Sequence, residues 1–130
     1  MWREDGEAVV RRGGAELRFA PAAGGWTLSG DAAILDQPDA VRRVWGALAN
    51  PNAGEVLVSP ASGFEFADLG GGSHLGGGSH GSLDAGDSLV PLLTVGVEGQ
   101  ASSITDVAPL VLDHFGVDRP EYAGHRVGAP

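Results

Sequence analysis

Residues 68–96 read DLGGGSHLGGGSHGSLDAGDSLVPLLTVG, and this stretch decides how the rest of the chain is interpreted. It contains two GGGSH repeats, which end at His74 and His80. The surrounding glycines remove side-chain bulk, so backbone and imidazole can approach a ligand closely. The apolar run Leu89–Val95 follows and is typical of a buried strand, with Pro91 favouring the strand's start or an edge position. The stretch therefore predicts a loop that presents histidine beside a sheet edge.

The glycine-rich loop holds the candidate site residues. Neutral imidazole is the commonest metal ligand in proteins, so His80, His74 and Asp68 are candidate ligands. Three protein ligands suit a catalytic zinc, whereas a structural zinc takes four; the spacing does not require these three to converge. Successive backbone N–H groups could instead bind an anion, at Gly78, Ser79, Gly81 and Ser82. The competing interpretation is a flexible surface loop, because repeated Gly-Gly-Gly-Ser is also typical of linkers.

The other acidic and imidazole groups near this loop receive structural interpretations. Asp84 and Asp87 are expected to cap turns. His114 falls on an apolar helix, which favours a core histidine, and His125 lies in a tail expected to be solvent-exposed. The sequence contains neither a GxSxG nucleophile elbow nor the GK[ST] of a phosphate-binding loop.

Composition restricts the classes of partner. The 130 residues fit one compact domain, and the formal net charge of -9 argues against a nucleic-acid groove or an anionic membrane surface. Cysteine is absent, so a metal would need His and carboxylate ligands, which suits zinc, manganese or iron. The charged N-terminus lacks the apolar region of a signal peptide, and no apolar run is long enough to span a bilayer. If the chain is complete, these features predict a cytoplasmic protein.

Residues 1–36 predict an N-terminal β-meander. Strands Glu7–Arg12 and Ala15–Phe19 flank Gly13-Gly14, a dipeptide suited to a tight hairpin turn. Trp26–Leu28 is a candidate third strand. Such hairpins are marginal alone, so the meander must pack on another element.

Residues 37–130 predict an α/β segment. A helix is expected over Pro38–Ala49, capped by Asp36 and carrying one apolar stripe, Val41, Val44, Trp45 and Leu48. Short strands follow at Glu55–Ser59 and Phe64–Phe66, joined by a turn. A second helix is expected over Asp106–Phe115, with Thr105 or Asp106 as its cap and Gly116 at its end. Helices alternating with apolar strands predict a sheet layered with helices. So few strands indicate that further polypeptide completes the sheet.

Three segments follow one another along the chain: GEVLVSPASGFEF, GGGSHGSLDAGDSLVPLLTVG and SSITDVAPLVLDHFGV. Together they resemble the C-terminal part of the alkaline phosphatase superfamily, and most closely its type I phosphodiesterase/nucleotide pyrophosphatase branch. The match runs from about Gly54 to Tyr122 and is carried by the series rather than by any single segment. Residues 1–36 contribute nothing to it.

The resemblance implies an activity and a role for one residue. Members of the family use two metal ions, usually zinc, with a Thr or Ser nucleophile to hydrolyse phosphate monoesters or diesters. The histidine of the HG loop is a late metal ligand in the family and corresponds to His80, whereas His74 has no secure counterpart. The family's nucleophile and earlier ligands lie upstream of the matched region. Two-metal chemistry needs both ions fixed together, so the chain is expected to be inactive alone.

Three hypotheses follow from the sequence. The chain is the C-terminal segment, or a separately encoded half, of a metal-dependent phosphoric ester hydrolase. Alternatively, it is a non-catalytic binding or structural module that keeps part of the fold. A third expectation is homo-oligomerisation, because an unfinished sheet exposes apolar surface and strand edges.

Overall fold

A computed structural model describes residues 1–66 and 80–118 of the chain. These residues form a mixed α/β structure with one four-stranded antiparallel sheet and several short helices. The chain divides into two compact units, Met1–Leu89 and Val90–Pro130. This division falls inside the predicted segment 37–130, because the first helix shares a core with the N-terminal sheet.

The predicted meander is confirmed and has one more strand than expected. Its strands pair in sequence order, each antiparallel to the next: β1 (Trp2–Glu4), β2 (Glu7–Arg12), β3 (Ala15–Ala22) and β4 (Gly25–Gly30). The additional strand β1 forms because Asp5 and Gly6 both adopt positive φ angles, 52° and 85°. Two successive positive φ values are the geometry of a tight hairpin turn.

The core of the first unit lies between the sheet and helix α1 (Ala40–Ala49). The predicted apolar stripe faces this core: Val44 and Leu48 are buried, while Val41 and Trp45 are half-buried against it. The Trp26 ring stands edge-on to both Phe19 and Trp45, with centroids 5.9 Å apart in each pair. The buried members of the core are Ala8, Val10, Leu17, Phe19, Ile34, Val44 and Leu48.

Helix α1 begins at Ala40, two residues later than predicted, and Asp36 does not cap it. The chain first makes a 3-10 turn, Ala32–Leu35, which Asp31 caps by accepting the Ala33 N–H at 3.0 Å. Asp36 ends this turn and forms an ion pair with Arg12 at 3.5 Å. Asp36 is thus the C-cap of the 3-10 turn rather than the N-cap of α1, and a turn in which the Ala40 N–H donates to the Gln37 carbonyl at 3.2 Å precedes the helix.

The predicted strand Glu55–Ser59 is wrong as a buried strand. Val56 makes a single antiparallel bridge to Trp2, and Leu57 and Met1 exchange backbone hydrogen bonds of 2.8 and 2.9 Å. Val56 is 62% exposed, because the segment lies along the outer edge of β1, which offers only three residues for pairing.

The predicted strand Phe64–Phe66 is also wrong, since both phenylalanines are exposed on irregular backbone. The turn before it is confirmed: the Phe64 N–H donates to the Ala61 carbonyl at 3.0 Å.

The predicted core strand Leu89–Val95 is irregular and solvent-exposed. Leu93 and Val95 are 89% and 86% exposed. An apolar run becomes a buried strand only where another strand accepts its hydrogen bonds. Within the described residues 1–66 and 80–118, none does so for this run.

The second predicted helix is confirmed, with α3 over Val107–His114 following a 3-10 turn, Ile104–Asp106. Asp106 accepts the N–H groups of Ser102 and Ser103, both at 2.9 Å, so the carboxylate organises the helix start. At the other end Gly116 has φ 64°, and the last carbonyls are satisfied in the Schellman pattern, as predicted for this glycine.

The prediction of a core histidine at position 114 is wrong. His114 is exposed and packs edge-on against Phe115, with ring centroids 4.9 Å apart. It lies in the last turn of α3, one helical turn after Leu110, the buried residue of the helix. None of the helices within residues 1–66 and 80–118 is long and apolar enough to cross a membrane.

Candidate functional site: the His80 loop

The structure describes His80 as an exposed residue that precedes a short helix, α2 (Ala85–Ser88), by five positions. Gly81 has φ 96°, a value that glycine adopts without strain. The other predicted metal ligands, His74 and Asp68, lie outside the described residues, as do Gly78, Ser79 and His125. Of the predicted ligand set, the structure therefore positions His80.

Two residues after His80 the loop is anchored by Ser82, which is 8% exposed. The Ser82 N–H donates to the Asp87 Oδ2 at 3.2 Å, and the Ser82 hydroxyl accepts the Asp84 N–H at 3.1 Å. The Leu83 N–H donates to the Ser59 hydroxyl at 3.0 Å, which ties the loop to the segment that follows α1. The Ser82 N–H, predicted as part of an anion-binding loop, thus has a structural role here.

Helix α2 extends this local network. Asp84 is its N-cap and accepts the Gly86 N–H at 3.3 Å. The Ser88 hydroxyl donates back to the Leu83 carbonyl at 3.2 Å. The predictions that Asp84 and Asp87 cap turns are confirmed, since each carboxylate accepts a backbone N–H of this loop.

Arg43 of helix α1 binds the backbone carbonyls of the same loop. Its guanidinium donates to the Ser82 carbonyl at 2.9 Å and to the Leu83 carbonyl at 3.2 Å, and also reaches the Pro38 carbonyl at 3.2 Å. One guanidinium can hold several carbonyls because its donors form a rigid planar fork. Backbone positions two and three residues after His80 are therefore fixed to the helix that forms the core of the first unit.

Sequence reasoning missed the role of Arg43. The local signal was an arginine next to the apolar stripe of α1, between Val41 and Val44. Its partners lie 39 and 40 residues away along the chain, so the helix pattern alone did not identify them.

Asp87 is the carboxylate of this loop whose pKa is lowered in the folded chain. Hydrogen bonds from the hydroxyl and N–H of Ser82 lower the pKa of Asp87, and the charges of His80 and Arg43 lower it further. Asp87 therefore stays ionised, and its carboxylate holds the Ser82 N–H of this loop.

The described residues supply His80 as a candidate ligand but do not form a complete metal site. Within residues 1–66 and 80–118, no three His, Asp or Glu side chains form a group that could hold an ion. His80 has the exposure and the anchored backbone that a single ligand needs. The remaining ligands of a metal site would have to come from outside this set of residues.

A separate cavity of about 410 Å³ lies in the first unit, and its described lining does not include His80. Its lining combines apolar side chains, such as Ile34 and Leu57, with polar ones, such as Arg12. Gln37 also lines it, and the Gln37 Oε1 is buried with no hydrogen-bond partner among the described residues. The size suits a small organic molecule.

Comparisons with protein-family models, with curated proteins and with solved structures each found no match. The resemblance to the alkaline phosphatase superfamily therefore stays a prediction from the three sequence segments quoted above.

Proposed function

We propose that this chain is the C-terminal segment of a metal-dependent phosphoric ester hydrolase of the alkaline phosphatase superfamily, closest to the type I phosphodiesterases. In this proposal His80 supplies one ligand to one of two zinc ions. The other ligands and the Thr or Ser nucleophile belong to the upstream part of the same enzyme, or to a separately encoded half. The substrate is a phosphate monoester or diester, and the chain is inactive alone.

The observation that carries the proposal is an exposed imidazole next to an anchored backbone in the His80 loop, residues 80–84. The His80 side chain is exposed, while the backbone directly after it is held by Arg43 and Ser59. A flexible linker does not require a buried serine, or a guanidinium that donates hydrogen bonds to its backbone. A metal ligand does, because a bound ion requires its ligands in a narrow range of positions.

Exposed apolar surface supports the second part of the proposal, that further polypeptide completes the fold. Residues 89–95 carry five exposed large apolar side chains on an irregular backbone: Leu89, Val90, Leu92, Leu93 and Val95. Runs of exposed apolar side chains mark surfaces that another element covers. We assign that element to the upstream polypeptide, as part of a layered α/β sheet.

Zinc titration of the 130-residue chain tests the ligand assignment. The imidazole NMR signals of His80 should shift at the lowest zinc concentrations, and His80→Ala should weaken zinc binding by at least ~10-fold. His114→Ala is the matched control, because His114 is also exposed but lies in α3. His74→Ala then reports whether the second predicted ligand takes part. Zinc binding that is stoichiometric and unchanged by His80→Ala would refute the assignment.

Hydrolysis of bis(p-nitrophenyl) phosphate and of p-nitrophenyl phosphate tests the enzyme. With zinc, the chain alone should show no turnover above the metal blank. Co-expression with the polypeptide encoded immediately upstream should give turnover that requires His80. Turnover by the chain alone would show that its nucleophile is present here, contrary to the proposal.

One observation favours the alternative of a non-catalytic binding module. The cavity of about 410 Å³ is lined by Gln37, by Arg12 and by several apolar side chains. A ligand with an apolar body and a hydrogen-bonding group suits such a lining. A screen of small amides and alcohols by NMR, with Gln37→Leu as the control, separates this function from the first, since zinc plays no part in it.

A further inference from the structure

The outer edge of β4 takes no part in the proposed function. Within residues 1–66 and 80–118, β3 is the only strand that pairs with β4. The strand Gly25–Gly30 carries neither a charged residue nor a proline, the usual devices that keep an exposed edge from pairing. Leu28 of this strand is 50% exposed.

The pairing register shows which backbone groups point outward. The Asp31 N–H donates to the Glu16 carbonyl at 2.9 Å, so these two residues form a hydrogen-bonded pair. Such pairs alternate along an antiparallel ladder, so Thr27 and Ser29 bond to β3. The N–H and C=O groups of the intervening residues therefore point away from β3: Trp26, Leu28 and Gly30. Pro21 fits the same alternation. It lies opposite Trp26 in a pair without hydrogen bonds between β3 and β4, so its missing N–H costs no bond to β4.

We infer that this edge pairs with the same edge of a second copy of the chain, antiparallel and centred on Leu28. In that register Leu28 faces Leu28 of the second copy, and Trp26 faces Gly30. Each of these three pairs is hydrogen-bonded, so all six outward groups of each strand find partners. The two sheets join into one of eight strands.

Side chains are compatible with the same register. Leu28 lies opposite Phe19 in β3 and shares its core-facing side of the sheet, so pairing would bring two half-exposed leucines together. Trp26 would sit across from Gly30, which has no side chain to clash with the indole. An aromatic residue opposite an edge glycine is a favourable cross-strand combination. No charged side chain of β4 is brought against its own copy.

The size and the net charge set the expected behaviour of the dimer. One strand pair buries less surface than the ~1,200–2,000 Å² of a standard interface, so the dimer is expected to depend on protein concentration. Each chain has a formal net charge of -9, which opposes association. Because salt screens this repulsion, the dimer fraction should rise with ionic strength.

Disulfide trapping tests the register, because the natural chain contains no cysteine. In a hydrogen-bonded antiparallel pair the facing Cα atoms are ~5.5 Å apart, within the range that a disulfide bridges. Leu28→Cys should therefore give a cross-linked dimer under mild oxidation. Thr27→Cys is the matched control, since Thr27 is also exposed but would face Ser29 of the second copy.

Light scattering of the full chain, from ~10 µM to ~500 µM and from ~50 mM to ~500 mM NaCl, tests the association itself. A monomer–dimer equilibrium is expected, and Leu28→Lys should lower the dimer fraction at least ~10-fold, because two ammonium groups would face each other. Thr27→Lys should leave it within ~2-fold. Tryptophan fluorescence checks that both variants remain folded.

Three results would overturn the inference. They are a monomer at every concentration, a dimer that survives Leu28→Lys, and equal cross-linking of the two cysteine variants. The second result would place the association on another surface, such as residues 89–95. None of these readouts involves His80 or zinc, so the failure of this inference is distinguishable from failure of the proposed function.

Discussion

Replacing Arg43 by Met tests whether the clamp on the His80 loop contributes what its geometry indicates. The guanidinium donates three hydrogen bonds, to the carbonyls of Ser82, Leu83 and Pro38. Methionine keeps a long apolar stem and a high helix propensity, so helix α1 should persist. What the substitution removes is the charged donor that joins α1 to the loop.

The magnitude follows from the number and kind of bonds lost. A hydrogen bond from a charged donor contributes about 1.5–3 kcal/mol, and a carbonyl that water can reach loses less than a fully buried one. Arg43 is half-buried, so the three bonds together should contribute about 2–3 kcal/mol to the free energy of unfolding. For a unit of this size, that corresponds to a fall in Tm of roughly 10–20 °C.

Arg42→Met is the matched control. Arg42 is the neighbouring residue on the same helix and pairs with Asp39 at 2.6 Å, an ion pair within one turn. Such pairs near the surface contribute about 0–1 kcal/mol. Urea unfolding followed by tryptophan fluorescence measures both variants, since Trp26 and Trp45 report on the core of this unit.

A second measurement addresses the loop directly. In Arg43→Met the Leu83 N–H, which donates to Ser59, should exchange with solvent faster, and zinc affinity through His80 should weaken. If Arg43→Met costs no more stability than Arg42→Met and leaves Leu83 exchange unchanged, the clamp does not position this loop.

Two further predictions concern a carboxylate and a glycine. Because Ser82 and the nearby positive charges lower the pKa of Asp87, its ionised form stabilises the folded state above the ordinary carboxyl pKa, and this contribution is lost as pH falls through the lower folded value. The difference in free energy of unfolding between the natural chain and Asp87→Asn should therefore shrink from about pH 6 to about pH 3. A difference that stays constant over this range would contradict the assignment. Gly30→Ala should destabilise the sheet by more than about 2 kcal/mol, since φ is 104° and the new Cβ would lie 2.2 Å from the Glu16 carbonyl oxygen. In Gly25→Ala the Cβ meets nothing within 4 Å, so thermal unfolding should separate the two variants clearly, and equal Tm values would show that the β3–β4 register differs from the one described.

The turns, caps and helix faces that could be predicted are those whose signals are local. The Gly13-Gly14 dipeptide between alternating strands indicated the hairpin, and the apolar spacing of Val44 and Leu48 indicated the core face of α1. The end of α3 at Gly116 and the turn-capping roles of Asp84 and Asp87 depend on contacts within a few residues. In each case the residues that decide the conformation lie next to one another in the chain.

The wrong predictions share a different physical origin. Glu55–Ser59 and Leu89–Val95 have the composition of buried strands, yet both are exposed. Side-chain pattern records a preference for an extended, half-buried backbone, but a strand exists only where a neighbour accepts its hydrogen bonds. The pattern therefore could not say whether that neighbour lies within these residues.

The candidate site divides in the same way. The glycine-flanked histidine at position 80 and its likeness to an HG loop are visible in the amino-acid order alone. Only the tertiary structure shows that Arg43 and Ser59 hold the backbone at residues 82 and 83. These groups are 24 to 40 residues from their partners along the chain. Turn and helix preferences act between adjacent residues and are written in the sequence, whereas the partners of a guanidinium or of a strand edge are chosen by packing across the whole unit.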